Sequence, residues 1–279
     1  MIQSSFFRLL LLAIIIMGMA CKKNSNVFEP PIEPEPIYLS DTQTIKLKTL
    51  VAQGLPSPYF GFTYDDSGYV TTINFGSGFH QYELEYKNGR LQKMVNIKSE
   101  DTLKYHYLEG RIAAVMQYTV RQTKNASYKM QYNEHGKLVS MLWFDFNENF
   151  PLDSVPTRQV LLQYHADGNL AKKDEFRADS AGTFNWTGSV EYSNYDKGIN
   201  VDAFGLLKDS FDDFIFLPQV KLQKDNPLTV ISKGVINDSK ISYTYNYVNG
   251  LPTDKKGIME FTRGADSGKV FNFTNRFTY

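Results

Sequence analysis

The sequence predicts an all-β protein: a long antiparallel meander of repeated hairpins, curled or closed into a barrel-like sheet, with one short helix near 203–216. Three observations predict it. Tyr and Gly recur together at a nearly constant spacing along the chain. Apolar and charged residues alternate with period two on either side of these pairs, which is the pattern of antiparallel strands with one buried face. A sheet of about fourteen strands, as these hairpins imply, must curl or close on itself.

The first segment, 1–20, has Arg8, an apolar run from Leu9 to Met17, and the small residues Gly18 and Ala20. That is the layout of a signal peptide, and the apolar run is shorter than the ~20 residues a spanning helix needs. The stretch GMAC that closes it resembles a bacterial lipobox, with Gly18 where Leu is usual. The resemblance implies that Cys21 is acylated and becomes the first residue of the mature chain. Cys21 is also the only cysteine of 279 residues, so no disulfide framework is available.

Residues 21–40 follow as a tether, with Pro30, Pro31, Pro34 and Pro36 close together. Proline at this density favours extended polyproline II, which at ~3 Å per residue could hold a domain roughly 50 Å from a bilayer.

Residues 41–279 form a single repeat-built β domain. The Tyr–Gly unit occurs as YDDSGYV (64–70), YKNGRL (86–91), YLEGRI (107–112), YNEHGKL (132–138) and YHADGNL (164–170), with looser copies YDKGIN (195–200) and YVNGLP (247–252). Tyr precedes Gly by three or four residues. The short spacing predicts a two-residue type I′ turn such as Asn88-Gly89; the long one predicts a type I turn closed by a G1 bulge, as at Glu134-His135-Gly136. Counting outward from either turn puts Tyr opposite an aliphatic residue on one face: Tyr64–Val70, Tyr86–Leu91, Tyr107–Ile112, Tyr132–Leu138 and Tyr164–Leu170. Flanking residues agree, since Tyr82, Leu84 and Tyr86 alternate with Gln81, Glu83 and Glu85.

The rhythm breaks between Gly198 and Gly250, where Phe204, Leu207, Phe211, Phe214 and Ile215 follow helical spacing, with Asp202 as a cap and Pro218 as a stop. Here lies the expected helix, with Asp209, Asp212 and Asp213 on its wet side. In the hairpin copies that flank it, Asn200 and Pro252 replace the aliphatic partner.

Little points to chemistry. Thirty basic and thirty acidic residues cancel, so no field favours nucleic acid, and no basic patch is interleaved with aromatics. His80, His106, His135 and His165 share no metal-ligand spacing. Glu83 and Glu85 read as a solvated strand face, not a glycosidase pair. Asp196, Gly198, Asn200 and Asp202 resemble a calcium loop only in part, because the Gly position and the terminal Glu are missing. No catalytic residue, metal site or cofactor is predicted, and the protein is read as not an enzyme. Aromatics remain, at 14% of the chain. Trp143 and Trp186 stand outside the hairpin consensus and are the candidate ligand contacts, able to stack on a glycan.

The recurring order of Tyr, turn, Gly, polar and aliphatic residues resembles the tyrosine–aspartate repeats of Rhs-type toxins and teneurins, which implies a β-shell. The lipobox, Pro-rich tether, Tyr–Gly hairpins and late KDNPL (224–228) together resemble a Gram-negative lipoprotein family of unknown function with a porin-like fold. In that family the late motif reads closer to SKNNP; Lys224, Asn226 and Pro227 match and Gln223 departs. No catalytic residues come with the resemblance.

The terminal VFNFTNRFTY alternates Phe271, Phe273, Phe277 and Tyr279, as the last strand of an outer-membrane barrel does. The Tyr-rich face and short strands instead favour a barrel whose apolar face points inward. The expectation is therefore an outer-membrane lipoprotein, held through acylated Cys21, facing the periplasm or the cell surface. Its β domain would bind or scaffold a partner, a glycan or another envelope protein. The alternatives are a surface glycan-binding adhesion module and a transmembrane β-barrel.

Overall fold

The structure, a computed structural model, describes residues 46–121, 123–147, 150–201, 215–218 and 220–279. Among these residues sixteen strands follow one another. The first eight are β1 (Thr49–Ala52), β2 (Phe60–Tyr64), β3 (Val70–Phe75), β4 (His80–Lys87), β5 (Arg90–Asn96), β6 (Thr102–Leu108), β7 (Arg111–Tyr118) and β8 (Lys124–Tyr132). The rest are β9 (Leu138–Asn147), β10 (Phe150–Tyr164), β11 (Leu170–Ala178), β12 (Phe184–Ile199), β13 (Asp225–Gly234), β14 (Asp238–Val248), β15 (Leu251–Arg263) and β16 (Val270–Thr278). Each pairs antiparallel with its sequence neighbours, and β1 pairs with β16, so the meander closes into a barrel without an edge. At the closure Thr49 faces Thr278, their hydroxyls 2.6 Å apart, and Leu50 faces Phe277.

The turns have the expected geometry. Asn88 and Gly89 both take positive φ (52° and 72°), as do Glu109-Gly110 and Asn249-Gly250, which is the type I′ form. In the longer loops only the glycines, Gly68, Gly136 and Gly168, are left-handed. All five Tyr–aliphatic pairs are in the counted register. In an up-and-down barrel successive hairpins alternate ends, so these loops all lie at one end, the tyrosine end.

Two expectations need correction. There are sixteen strands among the described residues, not about fourteen: β1, β12, β13 and β16 belong to no Tyr–Gly hairpin, and YDKGIN forms none, residues 195–199 continuing β12. Of the helix expected near 203–216, residues 203–214 lie outside the described ones; Ile215 and Phe216 are not helical, and no helix occurs among the described residues.

The consensus tyrosine does more than face an aliphatic residue. Tyr107 donates its hydroxyl to the Leu91 carbonyl (2.9 Å), Tyr132 to Ile112 (2.9 Å) and Tyr164 to Leu138 (2.7 Å). Each acceptor is the aliphatic residue of the preceding repeat. The basic residue after each Gly covers the same ring: Arg90 lies 5.5 Å from the Tyr107 centroid, Arg111 5.8 Å from Tyr132 and Lys137 5.5 Å from Tyr164. Tyr195 keeps the rung, to Leu170 (2.5 Å), although its hairpin is lost. The tyrosine is thus retained for the bond between repeats, independently of the turn.

The alternation sorts the two faces. On β4 Tyr82 and Leu84 are buried while Glu83 and Glu85 are exposed; on β8 Tyr128 and Met130 are buried while Lys129 and Gln131 are exposed. The buried face points into the lumen, where β2–β11 supply most of one core. Across the barrel, Tyr243, Tyr245 and Phe273 point inward but are only half-buried. Among the described residues, the lumen is therefore filled on one side and open on the other.

Candidate functional site

The repeat fails where the chain leaves β12 at Ile199 and returns in β13 at Asp225. The described part of this insert enters the lumen. Val201, Ile215, Phe216, Leu217 and Val220 are buried and join the core beside Tyr105 and Phe62. Burial pushes the pKa of the Tyr105 hydroxyl well up, the Phe216 backbone acting against the shift.

Three buried asparagines clamp the two ends of the insert. Asn226 (2% exposed) donates from Nδ2 to the carbonyls of Gly198 and Ile199, both at 3.1 Å, and to the Tyr247 hydroxyl at 2.8 Å. Asn200 donates to Gln223 Oε1 (2.9 Å) and to the Asp225 carbonyl (3.0 Å). Asn169 accepts at Oδ1 from the N–H groups of Lys224 and Asp225, both 2.9 Å, and donates to Asp225 Oδ2 at 2.9 Å. Asp196 completes the set, accepting from Gly198 N (2.8 Å), Asn226 N (3.3 Å) and the Tyr247 hydroxyl. No side chain fits at Gly198, because the Tyr247 ring occupies the Cβ position. A buried polar group left without partners costs about 1–3 kcal/mol, so this many satisfied bonds fix the insert in register. The KDNPL motif is therefore structural, since its backbone and Asn226 close the clamp.

Farther along the wall, three charges sit at lumen-facing positions. Arg158 Nε lies 2.9 Å from Glu175 Oε1, and the Arg158 guanidinium stacks 4.5 Å from the Trp143 ring centroid. Burial lowers the pKa of the neighbouring Lys173, Glu175 opposing the shift. Against the opposite wall, between β1–β2 and β16, lies a cavity of about 490 Å³.

The two tryptophans do not share a surface. Trp143 is 5% exposed, packed edge-on to Tyr128 with centroids 5.8 Å apart, whereas Trp186 on β12 is 42% exposed. Cys21 lies outside the described residues. Glu83 and Glu85 are exposed on the outer face, Glu85 2.6 Å from Lys93. Sequence reasoning missed Asn169 and the cavity-lining Leu50, Ala52 and Phe60. The available signals were the loss of the aliphatic partner at Asn200 and the aromatic alternation that contains Phe273.

A closed sixteen-strand antiparallel barrel with an insert in its lumen defines the architectural class. No family model and no curated protein matches the sequence. Two solved structures share the fold. A porin-like protein from Bacteroides uniformis superposes with a TM-score of 0.54 at 12% identity, covering 78% of this chain and 89% of that one. A porin-like protein from Bacteroides vulgatus gives 0.54 at 11% identity, covering 84% and 98%. At such identities the likeness shows the fold alone: the chain has a porin-like β-barrel fold.

Proposed function

We propose that the protein is a lipid-anchored outer-membrane protein whose barrel faces water and binds or scaffolds without catalysing. The observation that carries this reading is the polarity of the wall. Lys129, Glu85 and His106 on one side, and Lys240, Lys256 and Arg276 on the other, are exposed at outward positions. In a bilayer each Lys or Arg near the midplane would cost about 2–4 kcal/mol. A lipid-spanning barrel turns its apolar face outward; here Tyr82, Leu84 and Met130 are buried inside. Attachment then falls to Cys21 and the tether. The binding reading draws support from the half-filled lumen, and the non-catalytic one from the use of Asp196 and the buried asparagines in structural bonds.

Replacement Cys21→Ala should move the protein from the membrane pellet to the soluble envelope fraction. Retention through a high-salt wash would favour a spanning barrel instead. That second reading has its own observation: β8 to β16 run from nine to sixteen residues, enough to cross a bilayer with the ~9–11 residues required. A surface glycan-binding role retains Trp186 as an exposed aromatic, but Trp143 is buried away from any surface patch.

A further inference from the structure

We propose that the cavity beside the barrel closure binds an uncharged, mainly apolar small molecule, an alkyl or aryl chain bearing a single uncharged hydrogen-bonding group. This rests on the binding part of the function proposed above and names the ligand class.

The wall of the cavity is aliphatic and aromatic, with Leu50, Ala52, Tyr59, Phe60 and Phe273 among its residues. Its position follows from the register. Leu50 faces Phe277 and Ala52 faces Asn275 across the closure, so the inward side chains of β1 and β16 form one side. Phe273 forms the next part, and it lies there because β15 offers Gly257 opposite: the Phe273 ring occupies the space a Cβ would take. The insert contributes Val201 as a floor. An engineered apolar cavity of ~150 Å³ accepts benzene, so about 490 Å³ suits a ligand of roughly twenty non-hydrogen atoms.

Charge decides the class further. Among the described residues, no Asp, Glu, Lys, Arg or His lines the cavity; its amides are Gln53 and Asn275. A carboxylate or ammonium buried there would have no counter-charge, whereas an alcohol, ester or amide finds donors and acceptors. Pockets for small molecules combine such apolar walls with a few polar groups.

The entrance agrees. Gln53, Leu55 and Tyr59 carry the cavity into the β1–β2 loop, at the end of the barrel opposite the tyrosine end. Exposed apolar side chains gather at this end: Leu55, Phe79, Ile97, Val120, Ile236 and Phe271. An apolar approach to an apolar cavity suits a molecule delivered from an oily phase or carrier, and would serve a charged solute poorly.

The test is a titration of the full chain carrying Cys21→Ala with the uncharged fluorophore N-phenylnaphthylamine. Saturable binding at one site is expected, displaced by dodecanol and at least ~10-fold less well by dodecanoate. Ala52→Trp, which fills the cavity, should weaken binding at least ~10-fold. Leu108→Ser, at a 67% exposed position remote from the lining, should leave it unchanged. If Ala52→Trp does not melt cooperatively, Leu55→Glu takes its place, since Leu55 is 48% exposed and tolerates a charge without core disruption. Absence of saturable binding, binding that survives substitution at the lining, or equal competition by dodecanoate overturns the proposal. Failure of the anchor is read separately, by fractionation of the native chain against Cys21→Ala.

Discussion

Tyr107 shows how one side chain joins two repeats. Its ring faces Ile112 within its own hairpin, its hydroxyl reaches the Leu91 carbonyl of the hairpin before, and Arg90 covers it at 5.5 Å. The first contact is a packing term of about 0.2–1 kcal/mol, and the hydroxyl adds a bond worth a net ~0.5–1.5 kcal/mol. Tyr107→Phe keeps the ring and removes only the bond, so it should lower stability by about 1 kcal/mol in urea unfolding with the slope unchanged. Tyr118→Phe is the control, because the Tyr118 hydroxyl meets the sulfur of Met116 at 3.7 Å, a weak acceptor. Equal losses from both would mean that the rung contributes nothing of its own. The Tyr–Ile pairing was legible in the sequence because turn length fixes register within a hairpin. The bond to Leu91 was not legible, as it depends on how far a phenol projects along the next strand pair.

At the scale of an element, the insert between β12 and β13 is held by side chains that sequence reasoning saw only as failures of the consensus. Asn200 stood out as a missing aliphatic residue, and Asn226 as part of a motif without a role. Their spacing has no periodicity to detect; the three asparagines meet only once the barrel brings the β10–β11 loop, the end of β12 and the start of β13 to the same end. Asn226→Ala, at a position 2% exposed, removes a donor to three acceptors at once, so a loss of about 2–3 kcal/mol is expected. Asn246→Ala, at an exposed outward position, should stay within ~0.5 kcal/mol. Thermal melting of the two variants measures the difference, and an Asn226 loss no larger than that of Asn246 would remove the clamp. The hairpins themselves were legible down to the left-handed glycines, since a two- or three-residue loop leaves the backbone few choices. Closure was legible only as one of two outcomes, because the pairing of Thr49 with Thr278 joins residues at opposite ends of the domain.

At the scale of the whole molecule, the rungs form a ladder around the wall, and the ladder sets the response of the barrel to alkali. Burial raises the pKa of Tyr64, Tyr86, Tyr107, Tyr164 and Tyr195 well above the ordinary phenol value, and that of Tyr132 and Tyr192 to about 12. In the unfolded chain these groups ionise near pH ~10. Below that pH both states hold their protons, and the stability the rungs contribute is fully present. Above it the unfolded chain releases protons while the barrel keeps them, so unfolding is favoured further with each unit of pH, at least until Tyr132 and Tyr192 ionise in the barrel near 12. Neighbouring rungs repel one another once charged, as Tyr107 raises Tyr86 and Tyr132 raises both Tyr107 and Tyr164. A closed sheet has no edge strand from which such charging could fray the structure gradually. The barrel should therefore lose its β-sheet circular dichroism in one cooperative step between pH ~10 and ~12. Most of the tyrosinate absorbance should appear in that same step. Tyrosinate that titrates near pH ~10 while the sheet signal persists would show that the phenols are open to solvent, and the ladder would then not hold the repeats together.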